Sequence, residues 1–216
     1  MSGKLCFVCG KESYNRYPLC NSCSPRVINP NSSCNSCGVV TSSFVSRCPT
    51  CRDRNSLILG NYSLFSYLGI SKEILKQYKF KGEVSFSVFF GELISNYIKT
   101  NFKDPIICPI PTSRLKRKMK GGYQLDQIVK ELKKRDLPII KLLKKRYSKT
   151  QKKLNRDDRR TNLLNSFYLR SKIDMKNRDI ILLDDVYTTG ATIEAAAKII
   201  STYYNNSIYS ITIYRD

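Results

Sequence analysis

Residues 180–192 read Ile-Ile-Leu-Leu-Asp-Asp-Val-Tyr-Thr-Thr-Gly-Ala-Thr, and this stretch constrains the fold of the 216-residue chain more than any other. The four apolar residues Ile180 to Leu183 are typical of a strand buried on both faces of a parallel sheet. Asp184 and Asp185 follow it, at the place where the ligands of open α/β sheets collect. Apolar residues with helical spacing come next: Ile193, Ala196, Ala197, Ile200 and Tyr204. The stretch therefore predicts a strand, a turn and a helix within an α/β fold.

The turn at residues 188–192 is a predicted anion site, because a helix N-terminus presents unpaired N–H groups and the positive end of the helix dipole. Gly190 allows a positive φ and close approach of the backbone, and Ala191 adds no bulk. The hydroxyls of Thr188, Thr189 and Thr192 can donate hydrogen bonds. No lysine follows the glycine, so the turn is not a Walker P-loop.

A phosphate held beside two carboxylates points to a sugar phosphate, with Asp184 and Asp185 taking the ribose hydroxyls and Mg²⁺. The alternative is a strand–turn–helix with exposed aspartates and a threonine-rich cap. Adjacent acids at the end of a buried strand are costly without a task, which favours the binding site.

Eight of the nine cysteines form four Cys-x-x-Cys pairs near the N-terminus, with ten residues between successive pairs. The pairs are Cys6/Cys9, Cys20/Cys23, Cys34/Cys37 and Cys48/Cys51. Histidine is absent from the chain, so two Cys₄ zinc sites are the natural count, and the metals are expected to be structural. A glycine follows Cys9 and Cys37 but not Cys23 or Cys51, so the true repeat is 28 residues. This repeat favours sequential ribbons, the first pair with the second and the third with the fourth, over a cross-brace.

The composition is strongly basic: 38 Lys and Arg against 17 Asp and Glu give a formal charge of +21. Such a balance points to a polyanionic partner, and the alternative is a solvated basic surface. The sequence has no run of about 20 apolar residues and no hydrophobic signal region, so we expect a cytoplasmic protein without membrane insertion. In that compartment thiols stay reduced, which agrees with metal binding.

We expect two domains, residues 1–54 carrying the cysteines and residues 55–216 forming the α/β unit, with a polar linker at 52–56. The predicted strands are 62–67, 105–111, 138–143, 167–169, 180–183 and 208–214. The predicted helices contain Ile74 to Lys81, Phe86 to Ile98 and Leu125 to Leu132, besides the helix after residue 192. Strand–helix alternation from about residue 105 predicts a doubly wound parallel sheet.

Two basic segments interrupt this alternation. The loop 112–122 ends in Lys120, Gly121 and Gly122 and suits a pyrophosphate group. The stretch 144–162 has no apolar period and is a candidate mobile loop over the site. Residues 114–160 contain 19 Lys and Arg against five Asp and Glu, a concentration that favours nucleic acid. Candidate nucleic-acid contacts are Tyr17, Lys144, Lys145, Arg146, Arg159 and Arg160, and the cysteine module adds the aromatic residues Tyr14 and Phe44.

Residues 184–192 resemble the phosphoribosyl-pyrophosphate (PRPP) loop of type I phosphoribosyltransferases. The whole chain resembles the ComF family (ComFC or GntX-like), which joins an N-terminal zinc ribbon to a phosphoribosyltransferase domain. Cysteine knuckles, Lys79-x-Lys-Gly82, Pro109-Ile-Pro, Thr150-Gln151 and the 184–192 loop carry this resemblance. Where the family has Arg-Gly-Phe-Asn after the pyrophosphate loop, this chain has residues 121–124, Gly-Gly-Tyr-Gln.

The resemblance implies a type I phosphoribosyltransferase-like sheet, a pyrophosphate loop at 111–122, a flexible loop at 147–162 and a role in natural transformation. The leading hypothesis is a zinc protein that binds PRPP with Mg²⁺ and also binds single-stranded DNA, with proteins of DNA uptake or recombination as further partners. Asp184 and Asp185 would be the catalytic carboxylates if the protein transfers a pentosyl group. The alternatives are a nucleotide-salvage transferase with an incidental basic surface, and a non-catalytic nucleic-acid-binding protein with a vestigial PRPP site.

Overall fold

The computed structural model describes residues 4–17, 19–41, 46–81, 85–112, 124–145 and 166–216. Its strands are β1 (Lys4–Leu5), β2 (Glu12–Ser13), β3 (Gly60–Ser66), β4 (Ile106–Pro109), β5 (Leu143–Lys145), β6 (Phe167–Leu169), β7 (Ile180–Tyr187) and β8 (Ile208–Arg215). Its helices are α1 (Pro49–Arg52), α2 (Ile70–Lys81), α3 (Ser85–Asn101), α4 (Gln124–Lys133) and α5 (Ala191–Ser201).

The main sheet is parallel and has the strand order β3-β8-β7-β4. The central strand β7 pairs with β4 from Ile106↔Ile180 and with β8 from Ile180↔Ile208. Beyond β4, Ile139 forms a single parallel bridge to Ile107. All four strands therefore place their carboxyl ends at one edge, which is where a ligand site is expected in this class of fold.

Two buried apolar clusters cover the opposite faces of this sheet. One cluster joins Ile181 and Leu183 of β7 to aromatic residues of α3, such as Phe86 and Phe90, and to α4. The other joins Leu182 of β7 to α5 and to the short antiparallel sheet of β5 and β6. The predicted fold class is confirmed, since a parallel α/β sheet is covered on both faces and preceded by a cysteine-rich module.

The two cysteine groups lie on opposite faces of the sheet. Cys6 and Cys23 pack in the cluster with α3, whereas all four cysteines of the second group pack in the cluster with α5. The segment between the groups runs along the sheet edge, where the Ile28 amide donates to the Leu64 carbonyl of β3 at 2.8 Å. The cysteine module thus straddles the edge strand, and contacts cross residue 54, the boundary that the sequence predicts.

Most predicted elements are present, but the structure corrects five of them. The strand predicted at 138–143 is reduced to the Ile139 bridge, in which Pro138 offers only its carbonyl, and pairing resumes at β5. Lys144 and Lys145 consequently lie in a strand paired with β6 and not in a loop. The central strand continues through both aspartates to Tyr187, and α5 ends at Ser201, before Tyr204. The predicted linker at 52–56 contacts the α/β unit through Arg54, which bonds to Thr189, and through Ser56, which bonds to Glu194.

Candidate functional site

The acidic pair lies inside the central strand, where the regular alternation of buried side chains breaks. Ile181, Leu183 and Val186 all face the α3 cluster, whereas strict alternation would place residue 185 and not residue 186 on that side. Asp184 and Asp185 are both half-buried, and the Asp185 amide donates to Asp184 Oδ1 at 2.9 Å. The break presents two adjacent carboxylates at the carboxyl edge of the sheet.

The turn that follows is built as the sequence predicts. Gly190 is the N-cap of α5 with φ 76° and ψ 0°, and a Cβ there would overlap the phenol ring of Tyr187. Thr188 and Thr189 are exposed, and Thr189 Oγ1 accepts from the Ala191 amide at 3.3 Å. The Glu194 amide is bonded to the Gly190 carbonyl at 2.9 Å, so the preceding amides of the first turn point out of the helix. We call this turn, residues 188–192 with the exposed hydroxyls of Thr188 and Thr189, the candidate phosphate cradle.

The basic loop that the sequence assigns to pyrophosphate lies outside the described residues, and so do Lys120, Gly121 and Gly122. Its two ends are visible. At one end the Ile110 amide donates to the Leu183 carbonyl at 2.9 Å, beside the acidic pair. At the other, the Gln124 carbonyl accepts from the Tyr78 hydroxyl at 2.7 Å. Both ends of the loop are therefore anchored at the carboxyl edge of the sheet.

Tyr78 is a site residue that sequence reasoning missed. It is buried, and burial together with the negative charge of Asp185 raises the pKa of its hydroxyl. It therefore stays a neutral donor near the acidic pair. Its position on the apolar face of α2 is indistinguishable in the sequence from that of an ordinary core tyrosine.

The eight paired cysteines form two groups of four, and the grouping is the sequential one that the 28-residue repeat predicts. Within each group the four Sγ atoms lie within 4.8 Å of one another. Cys9 and Cys20 are 3.7 Å apart at sulfur, and Cys37 and Cys48 are 3.8 Å apart. Tetrahedral zinc with Zn–S bonds of about 2.3 Å places sulfurs about 3.8 Å apart, so the residues fit that metal.

The knuckle backbones also lower the pKa of one cysteine in each group, which favours cation binding. Gly10 and Gly38 have φ of 73° and 71°, as the repeat predicts for the residue after each first pair. Burial alone would raise the pKa of the Cys6 thiol, but backbone N–H groups directed at its sulfur lower it to about 6. Cys34 behaves in the same way: burial would raise its pKa, but backbone N–H donors lower it to about 7. One of these donors is the Cys48 amide, 3.2 Å from the Cys34 sulfur. One thiolate in each group is therefore accessible near neutral pH, whereas burial and the neighbouring cysteine sulfurs raise the pKa of Cys23 and of Cys51 to about 12. A bound cation would be needed to hold all four sulfurs of a group as thiolates.

The two groups differ in how they are attached and shielded. The first is fixed to α3: Arg16 pairs with Glu92 at 3.0 Å, and the Tyr17 hydroxyl donates to the same carboxylate. Cys9 in this group is exposed, whereas all four cysteines of the second group are buried. The second group rests on the sheet through the Asn61 amide, which donates to the Cys37 carbonyl at 3.1 Å.

The candidate nucleic-acid residues are only partly described. Arg146, Arg159 and Arg160 lie outside the described residues, as does Phe44. Lys144 is exposed, and the ammonium of Lys145 lies over the Phe167 ring at 5.4 Å. Tyr17 packs on Phe89 at 5.0 Å, and burial and the Glu92 bond raise the pKa of Tyr17 to about 12. The ring and the hydroxyl of Tyr17 thus hold the first cysteine group against α3, whereas Tyr14 is 76% exposed and its ring is open to stacking.

Within the described part of the chain, no helix is both long enough and apolar enough to cross a membrane.

The fold and these two sites define an α/β protein with a parallel sheet, an acidic turn before a helix and an attached pair of Cys₄ centres. Competence protein ComFC of Bacillus subtilis (strain 168) is 32% identical over 152 residues, which cover 68% of this chain and 60% of that protein. Competence protein ComFC of Streptococcus pneumoniae (strain ATCC BAA-255 / R6) is 26% identical, with 72% and 69% covered. The chain is a homologue of the ComFC proteins, which confirms its resemblance to the ComF family. It spans about 60 to 69% of the length of these two relatives.

Competence protein F of Haemophilus influenzae (strain ATCC 51907 / DSM 11121 / KW20 / Rd) is 36% identical over 100 residues, 44% of this chain and 43% of that protein. No family model matches the chain.

Among solved structures, a hypoxanthine phosphoribosyltransferase from Staphylococcus aureus aligns with 63% of this chain and 65% of its own, at 14% identity and a TM-score of 0.37. A purine phosphoribosyltransferase from Pyrococcus horikoshii Ot3 aligns with 63% and 85%, at 14% identity and a TM-score of 0.39. Likeness at this level carries no conclusion about the function of this chain.

Proposed function

We propose that this protein is a ComF-type competence protein that binds PRPP, or a related phosphoribosyl ligand, with Mg²⁺ and also binds single-stranded DNA. The observation that carries the first part is the break in β7. The half-buried Asp184 and Asp185 lie at this break, and the strand leads from them directly into the exposed Thr188 and Thr189 and the αL cap at Gly190. Carboxylates next to an amide-and-hydroxyl cradle match the two ends of a ribose 5-phosphate.

In this proposal Asp184 and Asp185 take the ribose hydroxyls and the metal. The 5′-phosphate lies on residues 188–192, including Ala191 and Thr192, at the N-terminus of α5. The basic loop that contains Lys120, Gly121 and Gly122 takes the pyrophosphate, since its anchored ends lie beside Leu183 and Tyr78. Mg²⁺ would supply charge neutralisation between carboxylates and phosphate oxygens. Transfer chemistry, if present, would depend on positioning and on stabilising the departing pyrophosphate.

The two Cys₄ groups are proposed to hold structural zinc, since four thiolates at tetrahedral spacing match this ion better than hard cations. We propose that the chain consists of a cysteine module (1–54) and an α/β unit (55–216), and the packing of the cysteines in both apolar clusters of the sheet supports close contact between the two.

The DNA-binding part is supported by the net basic charge of residues 114–160 and by exposed aromatic residues of the first cysteine group. Homology to competence proteins favours DNA as the polyanion, and DNA uptake or recombination proteins as partners, in a cytoplasmic setting. Among described residues, part of the charge is neutralised internally: Lys134 and Arg135 pair with Glu131, and Lys141 pairs with Asp126. DNA contact is proposed for Lys144, which is exposed, and for Lys145 and the basic residues that follow them in the sequence.

One purified sample tests both parts. PRPP with Mg²⁺ is titrated by calorimetry, and a labelled oligo-dT is titrated by fluorescence anisotropy at several salt concentrations. Binding of both ligands supports the proposal. DNA binding without PRPP binding supports a nucleic-acid-binding protein with a vestigial site, and PRPP binding without DNA binding supports a salvage transferase.

A further inference from the structure

The second Cys₄ group is connected to the phosphate cradle through Arg215 at the end of β8. Arg215 Nη2 lies 3.7 Å from Cys37 Sγ, and Nη1 donates to the Tyr187 carbonyl at 3.2 Å. The guanidinium also stacks over the Tyr187 ring at 5.1 Å. Among described residues, the buried Nε of Arg215 has no hydrogen-bond partner. The cation is therefore held between a cysteine sulfur and the residue that begins the turn.

Tyr187 lies between Arg215 and the cradle and contacts both of them. Its ring is buried directly beneath Gly190, and a Cβ at Gly190 would overlap it. The Tyr187 carbonyl also accepts from the Asp216 amide at 3.0 Å, so strand β7 is fixed up to the turn. A shift of Arg215 that displaces Tyr187 must also displace the αL residue above its ring.

A second connection starts from the last cysteine of the same group. The Arg54 amide bonds to the Cys51 carbonyl at 3.3 Å, and Arg54 Nη1 donates to the Thr189 carbonyl at 2.8 Å. This bond crosses from the end of the cysteine module to the middle of the cradle.

The next residues hold the first turn of α5. Glu194 accepts from the Ser56 hydroxyl and from the Leu57 amide at 3.1 Å. These two uncharged donors stabilise the carboxylate and fix its position at the helix N-terminus, where a misplaced negative charge would repel a bound anion. The segment at 54–57 thus shapes both the backbone and the charge of the cradle.

Metal at the second group sets the environment of Arg215. A Zn²⁺ ion with four thiolates would carry a net charge of about −2, which would compensate the half-buried guanidinium. Without a metal nothing holds the four sulfurs together, so the position of Cys37 against the Arg215 guanidinium is no longer fixed. The first group is attached to α3 on the other face of the sheet, through Arg16 and Glu92.

We propose that Arg215 and Arg54 are positioning residues that couple metal occupancy of the second Cys₄ group, and not of the first, to the geometry of the phosphate cradle at residues 188–192. The ligand part rests on the proposed PRPP site. Because coupling between two sites is reciprocal in binding free energy, PRPP should also raise the metal affinity of the second group.

The 28-residue repeat supplies a matched pair of variants, since Cys20 and Cys48 occupy equivalent positions. Zinc-loaded full-length Cys48→Ser and Cys20→Ser are compared with the parent for PRPP affinity by calorimetry. Amide hydrogen exchange of residues 188–194 is measured without PRPP. We expect Cys48→Ser to weaken PRPP binding by roughly tenfold, within the usual range of coupling, and to speed exchange in the cradle. Cys20→Ser should change neither.

A second pair keeps both metal groups intact. Arg54→Ala removes the bond to Thr189, and Arg52→Ala removes a neighbouring exposed arginine of the same charge. Faster exchange and weaker PRPP binding in Arg54→Ala alone support the coupling, and this pair decides the matter if Cys48→Ser does not fold. Equal effects of Cys20→Ser and Cys48→Ser, or an unchanged cradle in Arg54→Ala, overturn it. If the parent does not bind PRPP, the proposed function fails, and the exchange data still decide the coupling.

Discussion

The side-chain amide of Asn61, in the edge strand β3, donates a hydrogen bond to the backbone carbonyl of Cys37 in the second metal knuckle. The same amide donates to Ser63 Oγ at 2.9 Å, which lies 2.7 Å from Thr212 Oγ1 on the neighbouring strand. Ser210 Oγ in turn donates to Asn61 Oδ1 at 2.8 Å. The second knuckle therefore packs on a layer of buried polar side chains of the sheet. The Asn61 amide in this layer keeps its hydrogen bond to the Cys37 carbonyl only while the knuckle is in place.

This arrangement predicts that two glycines with the same backbone conformation differ in their tolerance of alanine. Gly10→Ala should cost only the strain of a positive φ, about 1 kcal/mol, since nothing lies within 4 Å of its added Cβ. At Gly38 the added Cβ would lie 2.9 Å from Asn61 Nδ2 and 3.0 Å from the Asn61 carbonyl oxygen. Gly38→Ala should therefore cost at least about 1 kcal/mol more.

Chemical denaturation of both zinc-loaded variants measures the difference. Equal losses of unfolding free energy would show that the second knuckle does not bear on the sheet.

Metal content is the next prediction. The two groups predict two zinc ions per chain under reducing conditions, measured by elemental analysis of a mass-calibrated sample. Because the second group covers one face of the sheet, a chelator that strips both metals should lower the melting temperature of the α/β unit as well as unfolding the cysteine module. One zinc or none in freshly reduced protein would contradict the assignment.

Single-stranded DNA affinity should depend steeply on salt, with a slope set by the segment that begins at Lys144. Each phosphate neutralised on a single strand contributes about 0.7 to the slope of log affinity against log salt. Replacing Lys144, Lys145 and Arg146 with Gln should lower that slope by up to about two. The control replaces Lys99, Lys103 and Lys176, three exposed lysines away from this segment, and removes the same charge. A slope that falls equally in both triple variants would indicate that DNA affinity depends on the net charge of the protein and not on a DNA-binding site at residues 144–146.

Stacking can be separated from charge by two tyrosines of the first cysteine group. Tyr14→Ala should weaken oligo-dT binding at every salt concentration, because its ring is exposed and stacking barely responds to salt. Tyr17→Ala should mainly lower stability, since its ring packs on Phe89 and its hydroxyl bonds to Glu92. Anisotropy and thermal melts on both variants distinguish these outcomes, and DNA affinity that Tyr14→Ala leaves unchanged would remove Tyr14 from the interface.

Acid stability should depend on Glu131, which is 7% exposed on α4 and packs against Gly91 of α3. The hydrogen bond from Lys134, at 2.7 Å, lowers its pKa below the ordinary 4.5, with a further contribution from Arg135. A carboxyl with a lowered folded-state pKa contributes stability above its unfolded pKa, and this is lost as the pH falls through the folded value.

Glu131→Gln should therefore cost about 1 kcal/mol at pH 7 and progressively less below pH 4.5. Urea melts of parent and variant at several pH values test this, and a pH-independent difference would contradict it.

Much of this organisation is predictable from the chain itself. The knuckle glycines determine which cysteine pairs group together, because only the residue after each first pair needs a positive φ. The helical apolar spacing predicts the position of α3, and the four-residue apolar run predicts where β7 begins. These features are local, and local patterns are what a sequence shows most directly.

The relation between the metal module and the site is not predictable in this way. Arg54 lies in a short polar stretch that is typical of a linker, and Arg215 ends a strand next to the C-terminus. Their contacts with Thr189 and Cys37 join residues more than 130 positions apart, and no spacing in the sequence encodes them. The sequence predicts that the acidic pair follows the strand, whereas in the structure the pair lies inside β7. Pairing with the neighbouring strand β8 extends β7 past the pair, and the sequence does not show this pairing.

The central claim is that Asp184 and Asp185 hold a phosphoribosyl ligand, and titration of PRPP with Mg²⁺ into three proteins tests it most directly. The double variant Asp184→Asn with Asp185→Asn is compared with the parent and with Asp179→Asn, which changes a carboxylate near the opposite end of the same strand. We predict that the parent and Asp179→Asn bind PRPP with equal affinity and that the double variant loses detectable binding. The double variant should melt within a few degrees of the parent, because removing adjacent like charges does not weaken the fold. Unchanged PRPP affinity in the double variant, or a parent protein that does not bind PRPP at all, would contradict the claim.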